Sequence, residues 1–475
     1  MIRLSILILV LTGTLFVYAE ESFSPYAISY EQGRLKAPPP YQSSIRLNIK
    51  KAKNCREIYF SRKDDTFSAR LKSGKIIRSG ISIGALFNRL AKEHEETAIE
   101  FFFKPGVYHL DQPLKPGKNH VIQGASGVTF KPALNLTAAI VIDGKEGIFL
   151  SNFTIEGGGI GNCETAGILA VNNSSYISIS KVRVADVGGC GILFKGSKSQ
   201  FFLIEECEIR NTGRAGIAMF DGVRHSLITK NTVENTTTHG IIFANGGSFS
   251  EVSENYIKGA GIHPGGGFAH GVAFDAHGHL HKGEQNLIMN NKILNSRTGG
   301  IEVADGQDHM YIIGNYIEGS GREHQKREDQ YGIYFGGALS QGYHCLIRGN
   351  TIKNSCWDGI RIASPNIERP HNKSPLPKEK YGPTTHVDII DNIVSGSMRY
   401  GIELNWCRDV YVKGNRIDTS KVADMGIIGK RGKTINMPSA DIYLKDNFFN
   451  SETKFVSDLF ESLEDGMPVT IGNSI

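Results

Sequence analysis

The densest chemistry in the chain lies in one stretch, His270-Gly-Val-Ala-Phe-Asp275-Ala-His277-Gly-His279-Leu-His281. An imidazole titrates near neutral pH, and a neighbouring carboxylate fixes which nitrogen carries its proton. Asp275 and His277, two residues apart on an extended chain, therefore form a proton-transfer unit on one face. His270 opens the same segment. Glu302 and Asp305 follow, and these five are the candidate catalytic residues. Candidates for binding substrate are His239, Tyr331, Tyr334, Asp358, Arg361 and Glu403. His277, His279 and His281 alternate as metal ligands on a strand would, but Gly278 and the extra length here favour a loop, so no metal site is assigned. Calcium would have to come from scattered carboxylates, because no calcium-loop motif is present. No cofactor is expected.

Residues so far apart in sequence act together only if the fold repeats. A Gly followed by Ile or Val opens a short apolar strand ten times, at Gly167, Gly191, Gly216, Gly240, Gly271, Gly300, Gly332, Gly359, Gly401 and Gly426. The steps are 24, 25, 24, 31, 29, 32, 27, 42 and 25 residues. Within most cycles an Asn two residues before an apolar one marks another strand, at Asn231, Asn255, Asn291, Asn315, Asn350 and Asn415. These asparagines read as turn residues that accept left-handed backbone and hydrogen-bond to the next cycle. A cycle of this length cannot bury its apolar face alone; stacked cycles can, around a narrow core of Ile, Val and Phe. The expected fold is all-β, a solenoid of parallel sheets with about ten or more rungs. Ile83 to Ala91 carries Leu86, Leu90 and Ala91 at helical spacing and predicts an N-terminal capping helix.

The insertions cluster in the fourth to eighth intervals and border the Gly-Ile strand on both sides, which predicts walls around a groove over the rungs at 271, 300, 332 and 359. If the residue after each Gly points inward, the next points outward. That outward series reads Leu169, Leu193, Ala218 and Ile242, then Ala273, Glu302, Tyr334, Arg361 and Glu403. Ionisable and aromatic residues begin where the insertions begin, as a substrate cleft requires.

The segments Phe101-Phe-Phe-Lys-Pro-Gly-Val-Tyr-His-Leu110 and Asn119-His-Val-Ile-Gln-Gly124, together with the repeats, resemble the pectate-lyase-like superfamily over about Ile81 to Asn450. The resemblance implies a right-handed parallel β-helix and a polysaccharide substrate. Locally, Phe274-Asp275-Ala276-His277 is similar to the Phe-Asp-Pro-His signature of mannuronan C5-epimerases. By that resemblance Asp275 and His277 work with a tyrosine to remove and replace the C5 proton of a uronic acid. Ala276 stands at the family's proline and Val272 at its tyrosine, so Tyr331 or Tyr334 would have to serve from another rung. Arg361 would offset the substrate carboxylate through paired hydrogen bonds. The expected function is an epimerase or lyase acting on an acidic polysaccharide. Two alternatives stand: an inverting glycoside hydrolase using Asp275 and Glu302, roughly 8 Å apart on neighbouring rungs, and a carbohydrate-binding β-helix without turnover.

The rest of the chain sets limits. Arg3, the apolar run Leu4 to Val17 and Val17-Tyr-Ala19 read as a secretory signal over residues 1–19, hence a secreted or periplasmic protein. No later stretch is long and apolar enough to span a bilayer. Loss of Arg3 takes the net charge from +5 to +4, with no basic stripe of the kind nucleic acid demands. Seven cysteines without a Cys-x-x-Cys pair leave at least one thiol unpaired. Residues 20–80 read as an accessory or irregular segment, 81–450 as the β-helix and 451–475 as a C-terminal cap.

Overall fold

The computed structural model describes residues 28–457 except 32–33, 53–54, 160, 263–267, 277–282, 322–329, 338–341, 365–381 and 429–438. The expected signal segment, His277, the inserted stretches and most of the C-terminal segment lie outside the described residues. Each coil of the chain contributes one strand to each of three parallel sheets. Sheet A holds the Gly-Ile strands, twelve in all from Ala138–Asp143 to Phe455–Ser457. Sheet B has sixteen strands and sheet C thirteen. One rung runs His270–Asp275 in sheet A, Glu284–Met289 in sheet B and Lys292–Leu294 in sheet C before returning at Gly299–Ala304. The molecule is a parallel β-helix, as the repeat predicts. The sheet B strand is the one that no turn residue announced.

The core is a continuous column of Ile, Val, Leu and Phe, two from most sheet A strands, such as Ile301 with Val303. The recurring glycines follow from its narrowness. A Cβ on Gly300 would lie 2.4 Å from Ile317 Cγ2 and 2.6 Å from the Gly332 carbonyl, so only glycine lets sheet A approach sheet C at this corner. The last repeat departs from the sequence reading by one position: Ile402 pairs with Met425 and Glu403 with Gly426. Asp424, not Gly426, thus occupies the corner, and Ile427 is the second inward residue of its strand.

The asparagines build a ladder inside the B–C corner. Asn291 accepts from the amide and side chain of Asn255 at Oδ1 (both 3.0 Å) and donates from Nδ2 to the Val252 carbonyl (2.9 Å). The same pattern links Asn231 to Asn255 and continues to Asn447. Each buried amide is satisfied by neighbouring rungs, which also fixes register. The left-handed residue is not the ladder Asn but the one before it, as at Lys230 (φ 57°), Glu254 (φ 56°) and Asn290 (φ 54°). An Asn side chain can enter the corner only if its own backbone has already turned into the sheet C strand.

The helix Ile83–Glu93 caps the first rung, burying Ile83, Leu86, Phe87 and Leu90 against Phe60, Phe101 and Phe103. Its first turn is closed by Ser82, whose Oγ accepts from the Ala85 amide at 3.0 Å. Ahead of it, Arg56–Lys63 adds to sheet B parallel to Ile99–Phe103, and Thr66–Leu71 and Ile76–Gly80 continue the sheet antiparallel. Residues 34–49 form a strap on the outer face of sheet B, where Leu35, Tyr41, Ile45 and Ile49 cover Leu203, Leu227, Leu287 and Leu346. Among the described residues no helix is long and apolar enough to cross a membrane.

Candidate active site

Sheet A fixes the site because parallel in-register pairing turns sequence repeats into straight columns. One outward column reads Ala273, Glu302, Tyr334, Arg361 and Glu403, each paired with the next. The column beside it reads His270, Gly299, Tyr331 and Asp358. The alternation read from the sequence is therefore the register of the structure. Upstream, Leu193, Ala218, Ile242 and Ala273 form a separate apolar patch on the same face.

Gly299 has no side chain between His270 and Tyr331, and that gap organises the site. A Cβ there would stand 2.5 Å from Tyr331 Cε2 and 2.9 Å from His270 Cδ2. Without it, rings two rungs apart stack, with centroids 5.8 Å apart and planes 10° apart. The Tyr331 hydroxyl lies 3.2 Å from His270 Nε2 and 3.0 Å from Glu302 Oε1. Glu302 Oε2 in turn lies 2.9 Å from His270 Nδ1. The three side chains close a ring of contacts on the sheet. His239 packs on His270 from one side (5.3 Å) and Tyr334 stacks on Tyr331 from the other (4.9 Å).

This ring has a definite proton inventory. The two Tyr331 contacts are hydrogen bonds and the 2.9 Å approach of Glu302 to His270 Nδ1 is an ion-pair contact; a proton on each takes three protons among two imidazole nitrogens, one phenol and one carboxylate. Burial favours the neutral acid of Glu302, but the charge and hydrogen bond of His270, with help from His239 and Tyr331, outweigh it and draw Glu302 down to about 2. The three-proton state is thus imidazolium, phenol and carboxylate. Removing one proton leaves a nitrogen or oxygen with an unshared pair, held in place by Glu302. That is an acid–base couple with one fixed negative charge.

One rung further, Asp358, Arg361, Arg399 and Glu403 form a buried charge cluster. Arg361 Nε is 2.9 Å from Glu403 Oε2. Arg399 donates from Nε to Asp358 Oδ1 (2.8 Å) and from Nη2 to both Asp358 and Glu403. Its guanidinium also lies over the rings of Trp357 (4.9 Å) and Tyr400 (4.7 Å). Burial, then the Glu403 charge, pushes Asp358 up. Glu403, also buried, is drawn down to about 2 by Arg361 and Arg399. When Asp358 holds its proton, two guanidinium charges face one carboxylate charge, leaving the cluster net positive beside Tyr331.

The other expected residues fall as follows. Asp275 is half-buried and pairs with Ala244 and Ala304, so it sits one rung and two residues from Glu302. Its partner His277 is outside the described residues. Asp305 is buried at a left-handed corner (φ 60°) just past the sheet A strand. Arg361 departs from its expected role: it is 3% exposed and already paired with Glu403, so it does not present an uncommitted guanidinium to substrate. Glu302 departs from its role as half of a hydrolase pair, since its carboxylate is held by His270 and Tyr331. Sequence reasoning missed Gly299 and Arg399. The doubled glycine Gly299-Gly300 was a visible signal, because other late rungs carry a His, Tyr or Asp there. Arg399 precedes its strand and escapes any alternation argument. The donor atoms of His239, His270 and Glu302 lie within 4.8 Å of one another, so this set has the composition of a three-ligand metal centre as well.

The sequence matches the family described as right-handed β-helix region over residues 117–257 and 267–449, and the chain belongs to that family. Among solved structures it is similar to the A-module of a mannuronan C-5 epimerase from Azotobacter vinelandii, at 13% identity and TM-score 0.50, over 80% of this chain and 94% of that one. It is similar also to the Dettilon tailspike protein, at 16% identity and TM-score 0.53, over 72% and 64% of the two chains. An exopolygalacturonase from Thermotoga maritima aligns at 11% identity and TM-score 0.47, over 88% and 95%. At these identities the likeness is one of fold. No curated protein matches the sequence.

Proposed function

We propose that this chain is an exported enzyme that abstracts the C5 proton of a uronic acid residue in an acidic polysaccharide, as an epimerase or a lyase. The observation that carries the reading is the closed ring of His270, Glu302 and Tyr331 on the outer face of sheet A. C5 carries a poorly acidic proton next to a carboxylate, so its removal needs a placed base and positive charge near the developing enolate. In its two-proton state the ring supplies the base, and Glu302 stabilises the imidazolium as the proton arrives. The net positive cluster around Arg361 and Arg399, one rung on, faces the substrate carboxylate as a field. Return of a proton to the opposite face of C5 gives epimerisation; departure of the C4 substituent gives an unsaturated end. The shared fold with a mannuronan C-5 epimerase module supports a polysaccharide as the substrate class. Hydrolysis is the weaker reading. Of the Asp275–Glu302 pair that an inverting hydrolase would use, Glu302 already has its carboxylate engaged by His270 and Tyr331.

The test is a panel of alginate, pectate and glycosaminoglycans incubated with the protein, read by ultraviolet absorbance, reducing ends and solvent proton exchange at C5. Exchange at C5 without absorbance, for an epimerase, or absorbance from an unsaturated end, for a lyase, is the expected result. Reducing ends without exchange or absorbance would establish a hydrolase instead.

A further inference from the structure

On the outer face of sheet B, away from the His270–Glu302–Tyr331 ring on sheet A, a second cluster carries chemistry that the proposed reaction does not use. Asp308 Oδ1 lies 2.8 Å from His309 Nδ1 and 2.8 Å from His344 Nδ1. The two imidazoles stack at 4.4 Å and 18°, and His386 stacks on His344 at 4.7 Å and 30°. Register explains the arrangement: Asp308 pairs with Tyr343 and Tyr343 with Thr385, so His309, His344 and His386 follow one another in a single column. All three have left-handed backbone (φ 52°, 46° and 59°), as do Tyr176, Phe201, His225 and Phe249 earlier in that column. The corner conformation belongs to the fold; three consecutive imidazoles belong to this site.

We infer that Asp308, His309 and His344 bind a divalent transition cation of the zinc class. Their donor atoms lie within 4.8 Å of one another. Two imidazole nitrogens and one carboxylate oxygen form a borderline donor set that suits zinc better than calcium or magnesium, and three protein ligands leave coordination positions for water or a further residue. His386, itself 3.5 Å from Asp409 through Nε2, stands next in the column. The Asp308 and His344 side chains are 36% and 27% exposed, so an ion has a path in without unfolding. In the metal-free arrangement one carboxylate oxygen faces two Nδ1–H groups; an arriving cation takes the same oxygen and nitrogens as ligands while each neutral imidazole's proton moves to Nε2, any extra proton of a charged ring leaving to solvent. The site also touches the strand ahead of the strap, which pairs with Arg34–Leu35: Tyr30 places its hydroxyl 3.1 Å from His309 Nε2. A bound cation fixes the tautomer of His309 and thereby the hydrogen bond that fastens Tyr30 to the helix.

Zinc chloride titrated calorimetrically into chelator-treated full-length protein tests this. The expected result is saturable binding with one equivalent assigned to the cluster and a raised melting temperature reversed by chelator. Asp308→Asn and His344→Gln should each weaken that equivalent on the order of 100-fold, the scale set by perturbing a metal's ligand environment. His270→Ala should retain it, which separates this site from the His239–His270–Glu302 set. Melting without metal identifies any variant that fails to fold, and His309→Gln then replaces it in the titration. No saturable zinc binding by the wild type, or full retention of the equivalent in Asp308→Asn and His344→Gln, overturns the assignment.

Discussion

Gly299→Ala isolates the geometry of the site from its chemistry, because it alters none of the groups that move protons. The added Cβ would meet Tyr331 Cε2 at 2.5 Å and His270 Cδ2 at 2.9 Å, against an ordinary contact of 3.4 Å or more. One ring must therefore move by nearly 1 Å, and the cheapest shift opens the contact between Tyr331 and His270. Misplacement of a reacting group by about 1 Å costs on the order of 100-fold in rate. The fold should survive, since overpacking costs about 1–3 kcal/mol and replacing Gly by Ala at a conformation Ala can adopt returns about 0.4–1 kcal/mol. The assay is C5 proton exchange on the uronan that the panel identifies, run beside a thermal melt. A rate within about threefold of wild type would refute the claim that the ring acts in the alignment seen, since threefold is under 1 kcal/mol of barrier.

Other outcomes follow from the same geometry. Tyr331→Phe keeps the ring stack but removes two hydrogen bonds, and exchange should fall at least ~100-fold with a stability loss of about 1–2 kcal/mol by calorimetry. Glu302 has a folded pKa below its unfolded value, so its contribution is present above pH 4.5 and lost as the pH falls toward about 2. That shift corresponds to at most about 3 kcal/mol, and denaturant titrations of Glu302→Gln should show a correspondingly flatter loss of stability over that window than the wild type. Ile301→Ala deletes fully buried core and should cost about 2–5 kcal/mol in unfolding free energy, leaving the chemical groups in place.

The solenoid was legible because its signals are local and repeated: a glycine where sheets A and C nearly touch, an asparagine where sheet B turns into sheet C. Outward alternation then carried Glu302, Tyr334, Arg361 and Glu403 into one column without any knowledge of the turns. Three things were hidden. Gly426-Ile427 imitates the repeat motif, yet pairing with Ile402 shifts the true position back to Met425, because register is set by neighbouring rungs rather than by a dipeptide. The strap includes a short helix, Gln42–Asn48, and buries Tyr41, Ile45 and Ile49 at four-residue spacing, but that spacing gives no sign of where on the solenoid it docks. Most important, the ring at the site depends on a missing side chain and on reach across two rungs, and spacing rules describe only what neighbours do. Ion pairing likewise changed the meaning of Arg361, since Glu403 lies beside it only after the coils stack.

The most direct test of the account is deuterium incorporation at C5, followed by nuclear magnetic resonance, when a responsive uronan is incubated in heavy water with wild-type protein and with His270→Ala. Incorporation at C5, or appearance of an unsaturated end, with the wild type and its loss in the variant, with both proteins folded, is the predicted outcome. Chain cleavage with neither deuterium at C5 nor an unsaturated end, or an undiminished reaction with His270→Ala, would contradict it.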